Sequence, residues 1–451
     1  MTFKKIAAIT SILLLLALIF ASCNSLLDTD PQQSVGEDEA LNTPGNVQAA
    51  LVGAYSQHRS VTQYGGRYQL LTDLLATDGD MTWTGTFFPP REIFDKNIPR
   101  DNSYTQSVWT GSYVTINRVN NVLSALEVLD EAQAQRTEAE ARFLRGAAFF
   151  ELVRVFGKAY NDGDPNVNPG VPIVLEPTRG IDEDDARPRA SVEEVYAQAI
   201  ADLTHARDNL PESNGIFADT FAASALLSRV YLMQAEYEAS ATEANRVIES
   251  GNYSLAGSFE DAFNNESAPA EYVYAVVNTS QDNANDLNLF YASTAFDGRG
   301  DVDIEDLHLD RYEDGDTRAD FFYEGGGALR TAKWQNLTAD IPVVRLAELH
   351  LNRAEANFKT GSTLGATPLE DINAIRARAG LDALDELTLD DILNERRLEL
   401  SFEGHLLFDL KRTEQNITDD LPFDADALVY PIPQREMEVN PNLVQNPGYG
   451  S

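Results

Sequence analysis

Helical periodicity is the sequence feature that most constrains the fold of this 451-residue chain. From Trp109 through Leu129, apolar residues recur at steps of three and four positions, which places them on one face of a helix. A second amphipathic segment runs from Thr137 to Phe156. Further along, Ser191 and Glu194 have the spacing of a capping box, which predicts a helix that reaches about Leu210. The chain is therefore expected to be mainly α-helical.

Two stretches of the sequence resemble helical pairs of the tetratricopeptide type. From Phe221 to Tyr253, small residues are expected to face aromatic ones, which lets two antiparallel helices approach closely. A comparable pair recurs from Val343 to Gly361 and from Pro368 to Gly380, and a helix-like segment follows from Thr388 to Gly404. The pattern predicts a tetratricopeptide-like framework, which is more typical of binding than of catalysis.

The predicted framework belongs to a single domain, residues 41–451, with little β-structure. Its helical parts are expected at about 105–157, 190–253 and 343–412. Long irregular segments are predicted at about 64–104 and 254–334, the second of which contains a strand-like run from Tyr272 to Val277. Because long irregular segments in compact proteins commonly carry function, we expect both of them to face a ligand.

The start of the chain has the pattern of a lipoprotein signal peptide. Two lysines precede an apolar run from Ile6 to Phe20, and Ala21, Ser22 and Cys23 follow it. We predict a signal peptide at 1–22, acylation of Cys23, and a lipidated tether at 23–40. The alternative is an ordinary cleaved signal whose cysteine is incidental.

The charge of the chain restricts its partners. Asp and Glu number 72 against 34 Lys and Arg, which gives a formal net charge of −38. A nucleic-acid ligand is therefore disfavoured, and a neutral or cationic ligand is favoured. Because Cys23 is the only cysteine, no disulfide can form within the chain.

Aromatic residues beside amides and carboxylates in the two irregular segments suggest a sugar site. The C–H face of a pyranose stacks on a ring, and polar neighbours bind its hydroxyl groups. We expect Trp83 and the segment from Phe290 to Arg299 to form opposite sides of one exposed aromatic site. Alternatively, Trp83 fills the core beneath a loop. The candidate ligand residues are Asp78, Trp83, Phe87, Phe290, Tyr291, Phe296 and Arg299.

Patterns that would indicate catalysis or a bound metal are weak in this sequence. The five histidines lie far apart, and no nucleophile elbow, phosphate loop or dinucleotide-binding pattern occurs. The run from Asp162 to Asn168 alternates oxygen ligands as a calcium loop does, but it lacks the usual glycine and closing glutamate. We predict no catalytic residue, no metal and no cofactor.

Three glutamates, Glu395, Glu399 and Glu403, would fall on one face of a helix. Two carboxyl groups that flank a sugar can hydrolyse it, which makes a glycosidase one interpretation. The interpretation that we favour is a buried structural ion network, in which nearby charged residues supply counter-charges. The expected network consists of Glu395, Arg396, Glu399, Glu403, Asp409 and Arg412, with Arg397 nearby.

These residues also resemble the carboxyl-terminal motif of the SusD/RagB family of outer-membrane lipoproteins. The resemblance extends over almost the whole mature chain, from Cys23 to the Asn446-Pro447-Gly448-Tyr449 ending. The motifs that carry it include Asn394-Glu395-Arg396-Arg397, Glu403-Gly404-His405, Phe408-Asp409-Leu410-Lys411-Arg412, Arg142-Phe143-Leu144-Arg145, Gly170-Val171-Pro172, Asp314-Gly315-Asp316 with Arg318, and Pro431-Ile432-Pro433.

The resemblance implies a lipid-anchored, surface-exposed protein of the outer membrane that captures an oligosaccharide. It further implies delivery of that ligand to a SusC-like TonB-dependent transporter, without catalysis. Two other functions stay open. A tetratricopeptide-like scaffold would bind only protein, and a surface glycosidase would use Glu395 or Glu399.

Overall fold

The structure is a computed structural model that describes residues 41–180, 186–279 and 285–450. The predicted signal peptide, Cys23 and the tether at 23–40 lie outside the described residues. Within the described ranges, no helix is both long enough and apolar enough to cross a membrane.

The α-helices are numbered in chain order. They are α1 (Pro44–His58), α2 (Arg67–Ala76), α3 (Phe88–Phe94), α4 (Ser103–Leu123), α5 (Glu131–Phe156), α6 (Val192–Asn209), α7 (Thr220–Met233), α8 (Tyr237–Ile248), α9 (Asp286–Tyr291), α10 (Asp306–Leu309), α11 (Leu346–Thr360), α12 (Pro368–Arg378), α13 (Leu389–Glu399), α14 (Leu406–Arg412) and α15 (Gln434–Val439). The strands are β1 (Met81–Trp83), β2 (Tyr272–Val276), β3 (Val302–Ile304), β4 (Phe322–Gly325), β5 (Ala328–Thr331) and β6 (Ile341–Arg345).

Successive helices pack side by side, as the predicted helical pairs require. Each helix of the series α1, α4, α5, α6, α7 and α8 packs on the next one. Helix α8 then packs on α11, which in turn packs on α12 and α13. The capping box at Ser191 begins α6, with the Ser191 hydroxyl accepting from Glu194 N and the Glu194 carboxylate accepting from Ser191 N. The prediction of a mainly α, tetratricopeptide-like framework is confirmed.

Two long helices begin earlier than their apolar periodicity predicted. The Asn102 side chain caps α4, which ends at Leu123 rather than Leu129, and a short 3-10 helix, Leu126–Val128, follows. The Asp130 side chain accepts from Gln133 N and begins α5 six residues before Thr137. In both cases a polar cap, which periodicity does not detect, sets the first turn.

The first segment predicted to be irregular, 64–104, contains a buried helix. Every residue of α2 from Tyr68 to Ala76 is buried, and α3 occupies a further part of the segment. Gly404 approaches α2 so closely that a Cβ atom would lie 2.6 Å from Gln69 Cα. Because α2 is buried on all sides, it lacks the one-sided periodicity from which the other helices were predicted.

The strands form three separate antiparallel pairs, β1 with β3, β2 with β6, and β4 with β5. The strand-like run at Tyr272 is β2, which ends at Val276. One large hydrophobic core extends through the helical pairs, and a smaller one lies between α11, α12 and α13. The β1–β3 pair joins the two irregular segments, and the β2–β6 pair joins the second segment to the helical framework.

Candidate functional site

The two segments from which a ligand site was predicted lie side by side. Strand β1 pairs with β3 in the register Thr82 with Asp303 and Trp83 with Val302. The pairing continues beyond the strands, because Thr84 N donates to Asp301 O at 2.8 Å. The chain from 81 to 87 is therefore held against the chain from 290 to 304.

The centre of this junction is buried, in contrast to the exposed site that we expected. Trp83 is only 1% exposed and packs on the buried Phe290 ring, with 5.3 Å between ring centroids. Tyr291 is also buried, and its hydroxyl donates to Asp73 Oδ2 at 3.1 Å. The expectation of exposure was wrong for Trp83, Phe290 and Tyr291, because β1 and α9 face the core.

Three phenylalanines of the two segments remain at the surface, and we call them, with Arg299, the aromatic platform. Phe87 is 40% exposed, Phe88 is 73% exposed and Phe296 is 36% exposed. The Arg299 guanidinium carbon lies 4.5 Å from the centroid of the Phe87 ring, and Arg299 Nε donates to Asp301 Oδ2 at 2.8 Å. The platform therefore combines apolar ring faces with an exposed group of hydrogen-bond donors.

Local sequence determines how the platform rings are held. Phe88 begins α3, and Pro89 and Pro90 fix the backbone of its first turn. On the other side, the turn that carries Phe296 closes tightly at Gly298, where a Cβ atom would lie 2.1 Å from Ala292 O. The Phe296 ring packs edge to face on Tyr323, with centroids 5.2 Å apart.

Asp78 lies apart from these rings in a group of ion pairs. Its Oδ2 accepts from Arg311 and from Arg397, each at 2.9 Å. Arg397 also contacts the buried carboxylate of Asp80 at 3.3 Å. Burial opposes the charge on Asp80, but His308 and Arg397 outweigh that effect and lower its pKa to about 2. These ion pairs give Asp78 a structural role, and it is not part of the platform.

The three glutamates lie in a buried group of charges that we call the ion cluster. Arg318 contacts Glu395 at 2.5 Å, Arg345 contacts Glu399 at 2.9 Å, and Lys333 contacts Glu403 at 2.7 Å. The members of the ion cluster are Glu271, Asp316, Arg318, Lys333, Arg345, Arg378, Glu395, Glu399 and Glu403.

The partners in the ion cluster differ from those predicted. Arg396 pairs with Asp409 at 2.8 Å, and Arg412 joins Asp409 to Glu355 in a separate group. The counter-charges of the glutamates come instead from distant parts of the chain, which local spacing cannot reveal. Glu403 also lies beyond α13, because the helix ends where Lys333 and Arg345 donate to Glu399 O.

The ion cluster has neither the accessibility nor the free carboxylates that glycoside hydrolysis requires. Glu399 is completely buried, and Arg378, Arg345 and Arg318 hold its pKa far below the usual range despite that burial. Burial raises the pKa of Glu395, and Arg318 opposes the rise. A retaining or inverting mechanism needs both carboxyl groups against the sugar.

The calcium-like run from Asp162 to Asn168 forms a turn held by its own side chains and by the neighbouring Lys158. Asp162 pairs with Lys158 at 3.1 Å, and Asn168 Nδ2 donates to Asp162 O at 2.6 Å. Among the described residues, no group of three or more His, Cys, Asp or Glu side chains is arranged to hold a metal ion.

Sequence reasoning missed the most exposed ring of the platform and one of its supports. Phe88 was not among the candidate ligand residues, although its place before two prolines marks it as the first residue of a helix. Tyr323 supports Phe296 from β4 and accepts from Ser293 N at 2.9 Å. No local pattern indicates the Tyr323 contact, since it joins residues of different strands and turns.

Comparison with known proteins agrees with this architecture. Residues 26–232 match the family described as "Starch-binding associating with outer membrane", and residues 326–421 match the SusD family. SusD-like protein P2 of Formosa agariphila is 25% identical, with 98% of this chain and 99% of that protein covered.

Solved structures share the fold over most of the chain. A SusD superfamily protein from Bacteroides thetaiotaomicron matches with a TM-score of 0.79 and 26% identity, covering 90% of this chain and 100% of that one. A laminarin binding SusD-like protein shares the fold with a TM-score of 0.73 at 23% identity, covering 90% of this chain and 100% of that one. The chain therefore belongs to the SusD-like family.

Proposed function

We propose that this protein is a lipid-anchored glycan-binding protein of the cell surface, which captures oligosaccharides and delivers them to a SusC-like TonB-dependent transporter without catalysis. The observation that carries the proposal is the aromatic platform on a chain of the SusD-like family. Phe88 leaves 73% of its surface in water, and together with the exposed rings of Phe87 and Phe296 it offers apolar faces on which a sugar can stack.

The chemistry of the platform suits a sugar. Phenylalanine faces stack against the C–H face of a pyranose, while the Arg299 guanidinium and the Thr86 hydroxyl supply groups for its hydroxyls. Arg299 already lies above Phe87 and is paired with Asp301, so its orientation is fixed before a ligand arrives. A site of this kind binds without needing the buried junction to open.

The glycan class has support from relatives. The family that matches residues 26–232 is described as starch-binding, and a structure with the same fold belongs to a laminarin binding protein. Both of those ligands are neutral glucans, which agrees with the strongly acidic character of this chain.

The burial and pairing of two glutamates support the absence of catalysis. Glu395 and Glu399, the residues that a glycosidase would use, are buried and are paired with arginines. Hydrolysis would first require the ion pairs to separate in a low-dielectric interior, which is costly.

The membrane anchor and the transporter rest on the sequence. The same family description includes association with the outer membrane, and Cys23 follows a leader of the lipoprotein type. Acyl chains on Cys23 would hold the domain at the membrane through the tether, where a transporter partner is within reach.

A glycan-array screen of the mature protein, followed by isothermal titration with the best ligand, tests the binding function. We expect saturable binding of a neutral oligosaccharide and no release of reducing ends. A protein that copurifies with its transporter but binds no glycan would instead be a protein-interaction scaffold. Hydrolysis of any tested polysaccharide would overturn the non-catalytic assignment.

The anchor has its own test. Cys23→Ala should move the protein from the membrane fraction to the soluble fraction, because the acylated thiol is removed. A Ser22→Ala variant, which keeps the thiol, is the matched control. Membrane retention of Cys23→Ala at the wild-type level would contradict the lipoprotein assignment.

A further inference from the structure

A second concave site lies away from the aromatic platform, where the end of α1 meets the end of β2. It consists of two adjoining lobes of about 310 Å³ and 160 Å³, which share Ser56, Arg59, Val276 and Val277. None of the platform residues lines it. Its size is within the range of small-molecule sites.

The larger lobe is polar and contains an available cation. Arg118 of α4 lines it, and its Nη1 donates to Gly53 O at 2.6 Å. Arg118 is exposed, and none of the ion pairs between described residues involves it. Further polar groups in the lobe belong to Gln57, Ser60 and Asn278. Gln57 Nε2 already donates to Ser60 Oγ at 3.2 Å, and Asn278 Nδ2 donates to Leu337 O at 2.6 Å. The remaining donors for an oxygen-rich, negatively charged group therefore come from the Arg118 guanidinium.

The charge of the lining is unusual for this chain. Acidic residues number 72 in the sequence, yet no described residue that lines either lobe is Asp or Glu. An anion that approaches most of this surface is repelled, whereas one that enters the cleft meets a guanidinium group. The described lining residues therefore carry positive charge from arginine and no carboxylate of their own.

The smaller lobe is apolar and partly open. Its rim carries two exposed aliphatic side chains, Val52 at 51% and Ile216 at 64%. Its wall includes Tyr55 and Phe217, whose ring centroids lie 4.7 Å apart. A volume of about 160 Å³ is comparable with the cavity of about 150 Å³ that holds a benzene ring in another protein.

We infer that this cleft binds a small amphipathic anion, with a carboxylate-bearing head in the polar lobe beside Arg118 and an aromatic or alkyl body in the apolar lobe. Aryl glycosides of sugar acids are the class that matches both lobes, because the sugar acid carries the hydroxyls and the charge while the aryl group is apolar. The site is distinct from the platform and does not depend on it.

Isothermal titration of the full mature protein with phenyl β-D-glucuronide tests this inference. Phenyl β-D-glucoside lacks the carboxylate, and free glucuronate lacks the ring, so each probes one lobe. We expect the glucuronide to bind roughly tenfold or more tightly than either, since charged hydrogen bonds and apolar burial each contribute about that factor. Equal affinity for the three compounds, or no binding of the glucuronide, would overturn the inference.

Variants of the two lobes and of the platform show where the glucuronide binds. Arg118→Gln should reduce the affinity for the glucuronide to that for the glucoside, and Ile216→Asp should weaken it by a similar factor. Arg435→Gln, which removes an exposed arginine of α15, is the matched control and should leave the affinity unchanged. Phe88→Ala should also leave it unchanged. If Phe88→Ala weakens binding of the glucuronide and Arg118→Gln does not, the compound binds at the platform and the cleft proposal is wrong.

Discussion

The ion cluster and the aromatic platform use the same pairing of a cation with a ring to different ends. In the ion cluster, Lys333 Nζ lies 4.8 Å from the centroid of the Phe263 ring. In the platform, the guanidinium carbon of Arg299 lies 4.5 Å from the centroid of the Phe87 ring. Lys333 is buried, whereas the rings of the platform face water. Exposure, rather than residue type, separates a contact that holds the fold from one that is available to a ligand.

The difference has a physical basis in solvation. Inside the protein, each charge of the ion cluster has lost its water and depends on its partners, so removal of one leaves the others unpaired. At the surface, water replaces a lost partner at little cost, and a ring contributes mainly through the ligand that covers it. Mutations in the ion cluster should therefore lower stability, whereas mutations in the platform should weaken ligand binding and leave stability nearly unchanged.

Truncation of the buried ring between the two segments should have the largest effect on stability. Trp83→Ala removes a side chain that is 1% exposed, and we expect the free energy of unfolding to fall by about 3–5 kcal/mol. Urea unfolding followed by circular dichroism measures it, with Phe88→Ala as the surface control. A loss of less than about 1 kcal/mol would mean that Trp83 is not packed as the structure shows.

Removal of one charge from the ion cluster should be comparably costly. Glu399→Gln leaves Arg345 and Arg378 without their shared carboxylate, and we expect a loss of about 3–5 kcal/mol in the free energy of unfolding. Glu313→Gln is the matched control, because the Glu313 side chain is 53% exposed and its partner Arg376 keeps a second carboxylate, Glu395, at 3.6 Å, so stability should change by less than about 1 kcal/mol. Equal effects in the two variants would contradict the contrast between buried and exposed pairs.

Truncation of a platform ring should affect binding and not folding. Phe88→Ala should weaken the best glycan by about 1–2 kcal/mol while leaving the melting temperature close to that of the wild type, because the ring is exposed in the free protein. Isothermal titration and a thermal melt measure the two quantities. Phe358→Ala, which removes another partly exposed phenylalanine on α11, is the control and should change neither.

A buried lysine outside the ion cluster should produce a smaller, pH-dependent effect. Burial lowers the pKa of Lys411 to about 8, and its Nζ donates to Leu428 O at 3.1 Å. Above about pH 8 the folded state releases the proton, whereas the unfolded chain keeps it up to about pH 10.4. Stability from this group therefore rises with pH across that window.

The variant Lys411→Met should lack this rise. Urea unfolding of both proteins at pH 7, 8, 9 and 10 would show the difference between their free energies of unfolding changing with pH in favour of the wild type. A constant difference across the series would show that Lys411 titrates alike in both states.

The sequence predicted the framework better than the site. Periodicity and the Ser191 capping box identified long amphipathic helices, because their apolar faces repeat along the chain. The same reasoning missed α2, which is buried on all sides, and placed Trp83 at the surface. Burial of Trp83 depends on the pairing of β1 with β3, whose residues are more than two hundred positions apart, and no local pattern encodes it.

The ion cluster also shows that local sequence patterns do not reveal contacts between distant parts of the chain. The spacing of Glu395 and Glu399 correctly placed them on one helical face, but their partners Arg318, Arg345 and Arg378 come from other elements. Local spacing predicted Arg396 and Arg412 as the counter-charges, but both of them bind Asp409 instead.

A crystal structure of the mature protein with its best array ligand tests the central claim most directly. We predict sugar rings against Phe87, Phe88 and Phe296, with a hydroxyl group within hydrogen-bond distance of Arg299, and an ion cluster unchanged from the free protein. A sugar bound instead against Glu395 and Glu399, with the arginine pairs separated, would contradict the division between a buried charged framework and an exposed aromatic binding surface.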